Sequence, residues 1–123
     1  MYNDSTRELV NIIQDEKQKI YATLIIEGRS TELAELVKIN GTPINVPEEI
    51  IQKGYRTCLD RWWLSDIKQL IDITGIKPEF TEDTIQEKYK FFARCGLGLQ
   101  IKVLEEISGY KPLDEVKKIL SKK

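Results

Sequence analysis

The chain has 123 residues, of which 41% are hydrophobic and 32% are charged, and its formal net charge is −1. This length predicts one domain with a core of its own, and the near-neutral charge excludes a global field that would attract nucleic acid or an anionic membrane. Because no apolar run approaches the ~20 residues of a membrane-spanning helix and no signal-peptide pattern opens the chain, we expect a cytoplasmic protein that contacts no membrane.

A short motif recurs three times along the chain. The sequence Gln-Lys-Gly-Tyr at 52–55 returns downstream as Gln-Glu-Lys-Tyr at 86–89 and upstream as Gln-Lys-Ile-Tyr at 18–21. The offset in residue number, 86 − 52 or 52 − 18, is 34 in both cases. Repetition at a period of this size is typical of repeat proteins, in which each unit is a supersecondary motif that packs on its neighbours. Three units are predicted, at residues 13–46, 47–80 and 81–114, followed by a half-unit at 113–123.

The first unit begins with the least regular segment of the chain. Leu9, Ile12 and Ile13 form only a weak apolar stripe there. We expect residues 4–18 to extend the first helix of this unit and to act as an N-terminal cap. Capping segments of repeat arrays are typically irregular, because one of their faces has no neighbour.

The middle unit has the clearest helical hairpin pattern. Pro47 opens its first helix, since the N–H that proline lacks has no partner in a first turn. The second helix is predicted to start with Ser65 as its N-cap and to end at Gly75, because glycine takes the left-handed conformation past a helix end. The apolar face of the first helix consists of Ile51, Tyr55, Cys58, Leu59 and Trp62.

The third unit contains a glycine-rich turn and is followed by the last helix. Gly-Leu-Gly-Leu at 96–99 is predicted to join two helices and not to bind phosphate, because the Lys-Ser/Thr of a P-loop and the strand before it are missing. Residues 113–120 are predicted to form the last helix, half a unit long. Its lysines are expected to keep this end soluble.

Positions that match at the period predict the core. Each column is apolar in all three units, and no single hairpin buries such a face alone. The columns are Tyr21/Tyr55/Tyr89, Leu24/Cys58/Phe92, Leu33/Ile67/Ile101, Leu36/Leu70/Leu104 and Ile39/Ile73/Ile107. The predicted fold class is therefore all-α, a short right-handed α-solenoid of three helix-turn-helix repeats with capping helices at both ends.

In length and layout the units resemble tetratricopeptide-like repeats, and Pro78 and Pro112 end their units as in that family. The small-residue positions of the family pattern are not filled in register. The layout is also similar to pentatricopeptide repeats, which bind single-stranded RNA. This resemblance covers nearly the whole chain at the level of superfamily shape and transfers no catalytic or binding residue.

Trp62 and Trp63 depart most clearly from the repeat. The other two units have Gly28-Arg29 and Gly96-Leu97 at these positions, which predict turns. Two tryptophans at a turn suit an exposed anchor for a partner, since tryptophan is enriched in binding hot spots. Trp62 also falls on the apolar face of its helix, so a core role that seals the hairpin is the alternative.

A second candidate surface combines aromatic and basic side chains. Phe91 falls in a column of threonines and is expected to be exposed. Lys90 and Arg94 flank it, and Arg56 and Arg61 lie at the matching level of the preceding first helix. Basic residues interleaved with aromatic ones suit single-stranded nucleic acid. They suit an acidic peptide or a solvated helix face equally well.

Residues for catalysis or metal binding are scarce. The chain contains no histidine, the commonest general base and metal ligand, and only two cysteines, Cys58 and Cys95. The acidic pairs Glu48-Glu49 and Glu82-Asp83 open first helices, where carboxylates suit the helix dipole. We therefore expect no enzyme activity, no cofactor and no metal. Cys58 is predicted to be buried and Cys95 exposed.

These observations favour a protein- or peptide-binding repeat module, with self-association through the apolar end faces as a variant. The alternative is a helical-repeat protein that binds single-stranded RNA or DNA. The candidate binding residues are Trp62, Trp63, Arg56, Arg61, Lys90, Phe91 and Arg94.

Overall fold

The structure, a computed structural model, describes residues 4–122 and the side chains of residues 8–122. All regular elements in this range are α-helices, so the all-α prediction is confirmed. The chain divides into two compact units, the first ending at Lys77 and the second beginning at Pro78. The helices are α1 Asp4–Asn11, α2 Glu16–Ile26, α3 Ser30–Asn40, α4 Glu48–Asp60, α5 Leu64–Thr74, α6 Glu82–Arg94, α7 Gly98–Ser108 and α8 Asp114–Ser121.

In the first unit, α2 pairs with α3 and α4 pairs with α5, and the two hairpins contact each other helix by helix. α2 packs against α4, α3 packs against α5, and α1 packs against both α2 and α4. The crossing of α2 and α4 is close at Gly54, where a Cβ atom would lie 2.5 Å from the carbonyl oxygen of Ile25. In the second unit, α6 packs against both α7 and α8.

The repeated glutamine joins the start of each hairpin to the loop that follows the hairpin. It is buried in all three copies, and its side-chain amide donates a hydrogen bond to a backbone carbonyl further along the chain, always at the same sequence separation. A buried amide needs such partners, since an unpaired one is costly. The pairs are Gln18 with Pro43 (2.9 Å), Gln52 with Lys77 (2.9 Å) and Gln86 with Lys111 (2.8 Å).

The repeated tyrosine has a comparable dual role. Its ring is fully buried in each hairpin, as predicted, while its hydroxyl donates to a backbone carbonyl in the same loop, again at a constant sequence separation. One side chain thus fills the core and holds the loop against the helix end, which explains why both residues of the motif recur. The acceptors are Thr42 for Tyr21, Ile76 for Tyr55 and Tyr110 for Tyr89.

Most of the predicted core columns are confirmed. The columns of Tyr21, Leu24 and Leu33 are buried in all three copies. The column that contains Ile39 was predicted to be buried, and this is wrong for Ile39, which is 79% exposed. Ile39 follows Leu33 by six positions, roughly 240° around an α-helix, so the two side chains cannot share a face. Sequence period identifies equivalent positions, but it does not establish that they are buried.

Two predicted helix boundaries are wrong. Residues 4–18 do not form one helix, because α1 ends at Asn11 and Asp15 caps a new helix by accepting from the N–H groups of Lys17 (2.9 Å) and Gln18 (3.3 Å). Ser65 is not the N-cap of α5, which starts at Leu64. The N-cap position of α5 is occupied by Trp63, two residues before Ser65.

Candidate functional site

The turn between α4 and α5 has an unusual residue at its sharpest point. In each hairpin the turn contains a residue in the left-handed region, and its φ angle is +74° at Gly28, +73° at Gly96 and +62° at Trp62. Trp62 is the only non-glycine residue with positive φ in the described chain. For an L-residue this conformation costs roughly 1–2 kcal/mol, because Cβ comes too close to the following carbonyl.

The backbone of this turn matches its glycine-containing counterparts. The N–H of Trp63 donates to the carbonyl of Cys58 at 2.8 Å, and the N–H of Trp62 donates to Leu59 at 3.2 Å. These two bonds form a Schellman motif, which caps the carbonyls at the end of α4. The tryptophan therefore adopts a conformation that the repeat imposes and that suits glycine better.

Both tryptophans are partly exposed. Trp62 is 45% and Trp63 is 38% accessible to solvent. The interpretation of Trp62 as a residue that extends the buried face is therefore wrong. A positive φ turns its side chain away from the direction that the helical periodicity predicted.

Trp63 lies against the equivalent turn of the first hairpin. A Cβ atom on Gly28 would lie 3.1 Å from two ring carbons of Trp63 and 3.1 Å from Sγ of Cys58. The glycine thus leaves room for the indole, which packs directly on its backbone. The guanidinium carbon of Arg61 lies 5.0 Å from the centroid of the Trp63 ring, within the range of a cation–π interaction.

These side chains border a groove between the end of α2 and the last turns of α4. Its volume is about 610 Å³, within the range of small ligand sites. Arg61 and Trp63 line it. The other lining residues are Ile26, Glu27, Arg29, Lys53, Thr57 and Asp60.

The cations of the groove differ in their partners. Arg29 is neutralised, because it pairs with Glu27 at 3.0 Å and also with Glu32. Neither Lys53 nor Arg61 forms an ion pair within residues 8–122. The groove therefore presents two cationic side chains whose hydrogen-bond donors remain available.

Three residues of the groove, Lys53, Thr57 and Asp60, were not among the predicted site residues. A signal was present, since these three residues are spaced by four and three positions and so lie on one face of α4. In the sequence that polar stripe is not distinguishable from an ordinary solvated face, because the groove forms only where the end of α2 lies beside it. Arg56 is exposed on α4 but does not line the groove.

The remaining predicted site residues lie in the second unit. Lys90 pairs with Glu87 and with Glu115, both at 3.2 Å, and only 19% of its side chain is exposed. Hydrogen bonds to Glu115 and Glu87 raise the pKa of Lys90. Its charge is therefore balanced locally by two carboxylates.

Phe91 is exposed on α6, as the threonine column predicted, and Arg94 is also exposed. Phe91 is 36% accessible and meets the buried Phe92 edge to face, with 6.1 Å between the ring centroids. Arg94 lies in the last turn of α6, where a cation suits the helix dipole.

The two cysteines have the predicted environments. Cys58 is fully buried in the first unit, and Cys95 is exposed just after α6. Burial raises the pKa of Cys58 to about 12. A thiol with this pKa is not a nucleophile at neutral pH, because the thiolate is the reactive form.

The described residues contain neither a metal-binding cluster nor a helix that could span a membrane. No group of three or more Cys, Asp or Glu side chains in this range is arranged to hold a metal ion. None of the described helices has both the length and the apolar character that crossing a bilayer requires.

Comparison with known family models, curated proteins and solved structures found no match. The geometry of the chain is therefore the basis for its functional interpretation.

Proposed function

We propose that the protein is a non-catalytic repeat module that binds another protein or a peptide through the surface around the α4–α5 turn. The observation that carries this proposal is the conformation of Trp62. A strained backbone persists only when the surrounding structure stabilises it, and such strain concentrates at ligand clamps and other functional sites. Here the residue under strain is also a partly exposed tryptophan.

Closure of the turn does not require a tryptophan. The equivalent turns close with Gly28 and Gly96, using the same two backbone hydrogen bonds. Tryptophan is enriched among the residues that dominate binding energy. Selection for a contact with a partner accounts for a residue that the fold itself does not favour.

The proposal extends to the architecture and location of the protein. We infer a short right-handed α-solenoid of three repeats, similar to tetratricopeptide-like proteins and resident in the cytoplasm. The glutamine and tyrosine hydrogen bonds described above support equivalence of the three hairpins, since they recur at the same sequence separation in each. Solenoids present extended surfaces to partners, which suits a binding role.

The test is the substitution Trp62→Gly. The free energy of unfolding and the capture of partners are measured in parallel on the variant and the parent. We expect the free energy of unfolding to stay within about 1 kcal/mol of the parent, because relief of the left-handed strain offsets the entropy of an added glycine. Capture of nuclease-resistant protein partners from lysate of the source organism is expected to fall. Leu99→Ala serves as control, since Leu99 is 72% exposed and lies in the other unit.

A large loss of stability in Trp62→Gly, above about 2 kcal/mol, would show that Trp62 is held by the fold itself and would remove the main support for the proposal. Unchanged capture with intact stability would contradict the proposed binding surface directly.

Binding of single-stranded nucleic acid is the second candidate. Its support is that Arg56 and Arg61 form no ion pair in the described part of the chain and that Trp63 offers a ring for base stacking. The paired state of Lys90 weakens it. A salt titration separates the two functions, because phosphate contacts weaken steeply as salt rises.

A further inference from the structure

We infer that the groove between α2 and α4 binds an acidic linear segment of a partner protein, in which Asp or Glu side chains alternate with apolar ones. This inference rests on the proposed protein-binding function and adds the chemistry of the ligand. It is drawn from the charges, donors and shape of the groove.

The available charge in the groove is cationic at two points. Arg29 is occupied by Glu27 and Glu32, while Lys53 and Arg61 have no carboxylate partner within the described residues. Both belong to the α4 region, eight positions apart, which is about 12 Å along the helix axis. An extended chain advances about 3.3 Å per residue, so acidic residues about four positions apart match this separation.

Arg61 is held in place before any ligand arrives. Its guanidinium lies over the Trp63 ring, and that ring in turn rests on the backbone of Gly28. A guanidinium that stacks on an aromatic ring keeps its N–H fork available for a carboxylate, and less conformational entropy is lost when the bond forms. Such charge-assisted bonds are among the stronger polar contacts in proteins.

The apolar part of the ligand also has complementary surface. The exposed part of the Trp63 indole borders the groove, whereas Ile26, which also lines it, is only 2% exposed. Thr57 adds a hydroxyl whose hydrogen is donated to the carbonyl of Lys53 at 3.0 Å, which leaves its oxygen to accept from a backbone N–H of the ligand. An acidic segment with aliphatic or aromatic neighbours satisfies all of these groups.

The same groove disfavours a nucleic-acid backbone. Asp60 and Glu27 line it together with the cations. Glu27 is already paired with Arg29, so the repulsion comes from Asp60. A polyphosphate chain carries one charge per nucleotide and would be repelled there, whereas a peptide can place a backbone N–H or a cationic side chain beside Asp60. Mixed charge of this kind favours a partner with discrete acidic side chains.

The experiment selects ligands without assuming their sequence. Short random peptides displayed on phage are panned against the intact protein, and the recovered peptides are synthesised with a fluorophore for anisotropy titrations. We expect the recovered set to be rich in Asp and Glu next to apolar residues. Their affinity is expected to fall about tenfold or more in Arg61→Ala, in proportion to the loss of a charge-assisted hydrogen bond.

Two matched variants test whether peptide affinity depends on the position of Arg61 or only on its positive charge. Arg56→Ala removes an exposed arginine from the same helix, outside the groove, and is expected to change affinity less than twofold, in the range of about 0.4 kcal/mol. Arg61→Lys keeps the charge but loses the planar fork, so its affinity is expected to lie between those of the parent and Arg61→Ala. The melting temperatures of all three variants serve as the check on folding.

The outcomes are distinguishable. Recovered peptides without acidic enrichment, or equal effects of Arg56→Ala and Arg61→Ala, would overturn the acidic-ligand inference while leaving a peptide-binding function in place. Recovery of no binding peptide by a folded protein would count against both proposals. Tighter binding of an oligouridylate probe than of any peptide, with loss in Arg61→Ala, would assign the groove to nucleic acid instead.

Discussion

Replacing Gly54→Ala tests whether the contact between α2 and α4 is as close as described. Alanine in a helix interior normally stabilises by roughly 1 kcal/mol relative to glycine. At this position the new Cβ would lie 2.5 Å from the carbonyl oxygen of Ile25 and 2.6 Å from Cγ2 of the same residue. Ordinary contacts need about 3.5 Å, so the helices would have to separate by about 1 Å.

Forced overpacking of this kind costs typically about 1–3 kcal/mol, which exceeds the gain in helix propensity. We therefore expect Gly54→Ala to lower the free energy of unfolding by about 1–2 kcal/mol. The nearest atom is a backbone oxygen, so shortening the Ile25 side chain in a double variant is not expected to restore stability.

The measurement is urea unfolding followed by circular dichroism, with Gly98→Ala as control. Gly98 starts α7 and has no atom within 4 Å of an added Cβ, so the same substitution is expected to stabilise there by about 0.5 kcal/mol. A lower free energy of unfolding for Gly54→Ala and a higher one for Gly98→Ala, each relative to the parent, support the close crossing of α2 and α4. If Gly54→Ala stabilises the protein as much as Gly98→Ala does, the helices do not approach as described and the packing argument fails.

Two further predictions concern buried side chains of the first unit. Tyr55→Phe is expected to lower the free energy of unfolding by about 1–2 kcal/mol in urea titrations, because the carbonyl of Ile76 loses its donor; Tyr55→Ala, which also leaves a cavity, is expected to cost about 3–5 kcal/mol. An equal cost for the two variants would refute the role of the hydroxyl-to-carbonyl bond. At pH 8 a thiol reagent is expected to modify Cys95 alone in the native state, since burial raises the pKa of Cys58 to about 12. Rapid modification of both thiols before unfolding would contradict the burial of Cys58.

The recurring motif shows how far a sequence pattern can predict local structure. Glutamine and tyrosine three positions apart marked the first helix of every hairpin, and the tyrosine was predicted to be buried. The hydrogen bonds that these side chains make to the loop after the hairpin were not predicted. Helical periodicity depends on neighbours within a turn or two, whereas these bonds depend on the path of the loop that returns to the helix.

The candidate site was only partly predictable for the same reason. Trp62 and Trp63 were identified because they interrupt a period, and this needs no structure. That Trp63 rests on Gly28 depends on where two turns meet, whereas the positive φ of Trp62 and the position of Arg61 over the Trp63 ring depend on the conformation of one turn. Lys90 is also neutralised by Glu115, which lies on another helix and so could not be identified from the spacing of residues on α6.

The sequence by itself determined the helical class, the period of the repeat, the turns at the glycines and most of the buried columns, because these follow from local geometry and from the spacing of apolar residues. Tertiary structure alone decided the contacts between helices: the packing of Trp63 on Gly28, the close approach of Gly54 to Ile25, and the ion pair of Lys90 with Glu115. These contacts depend on which surfaces the folded chain brings together, and a linear pattern does not contain those distances.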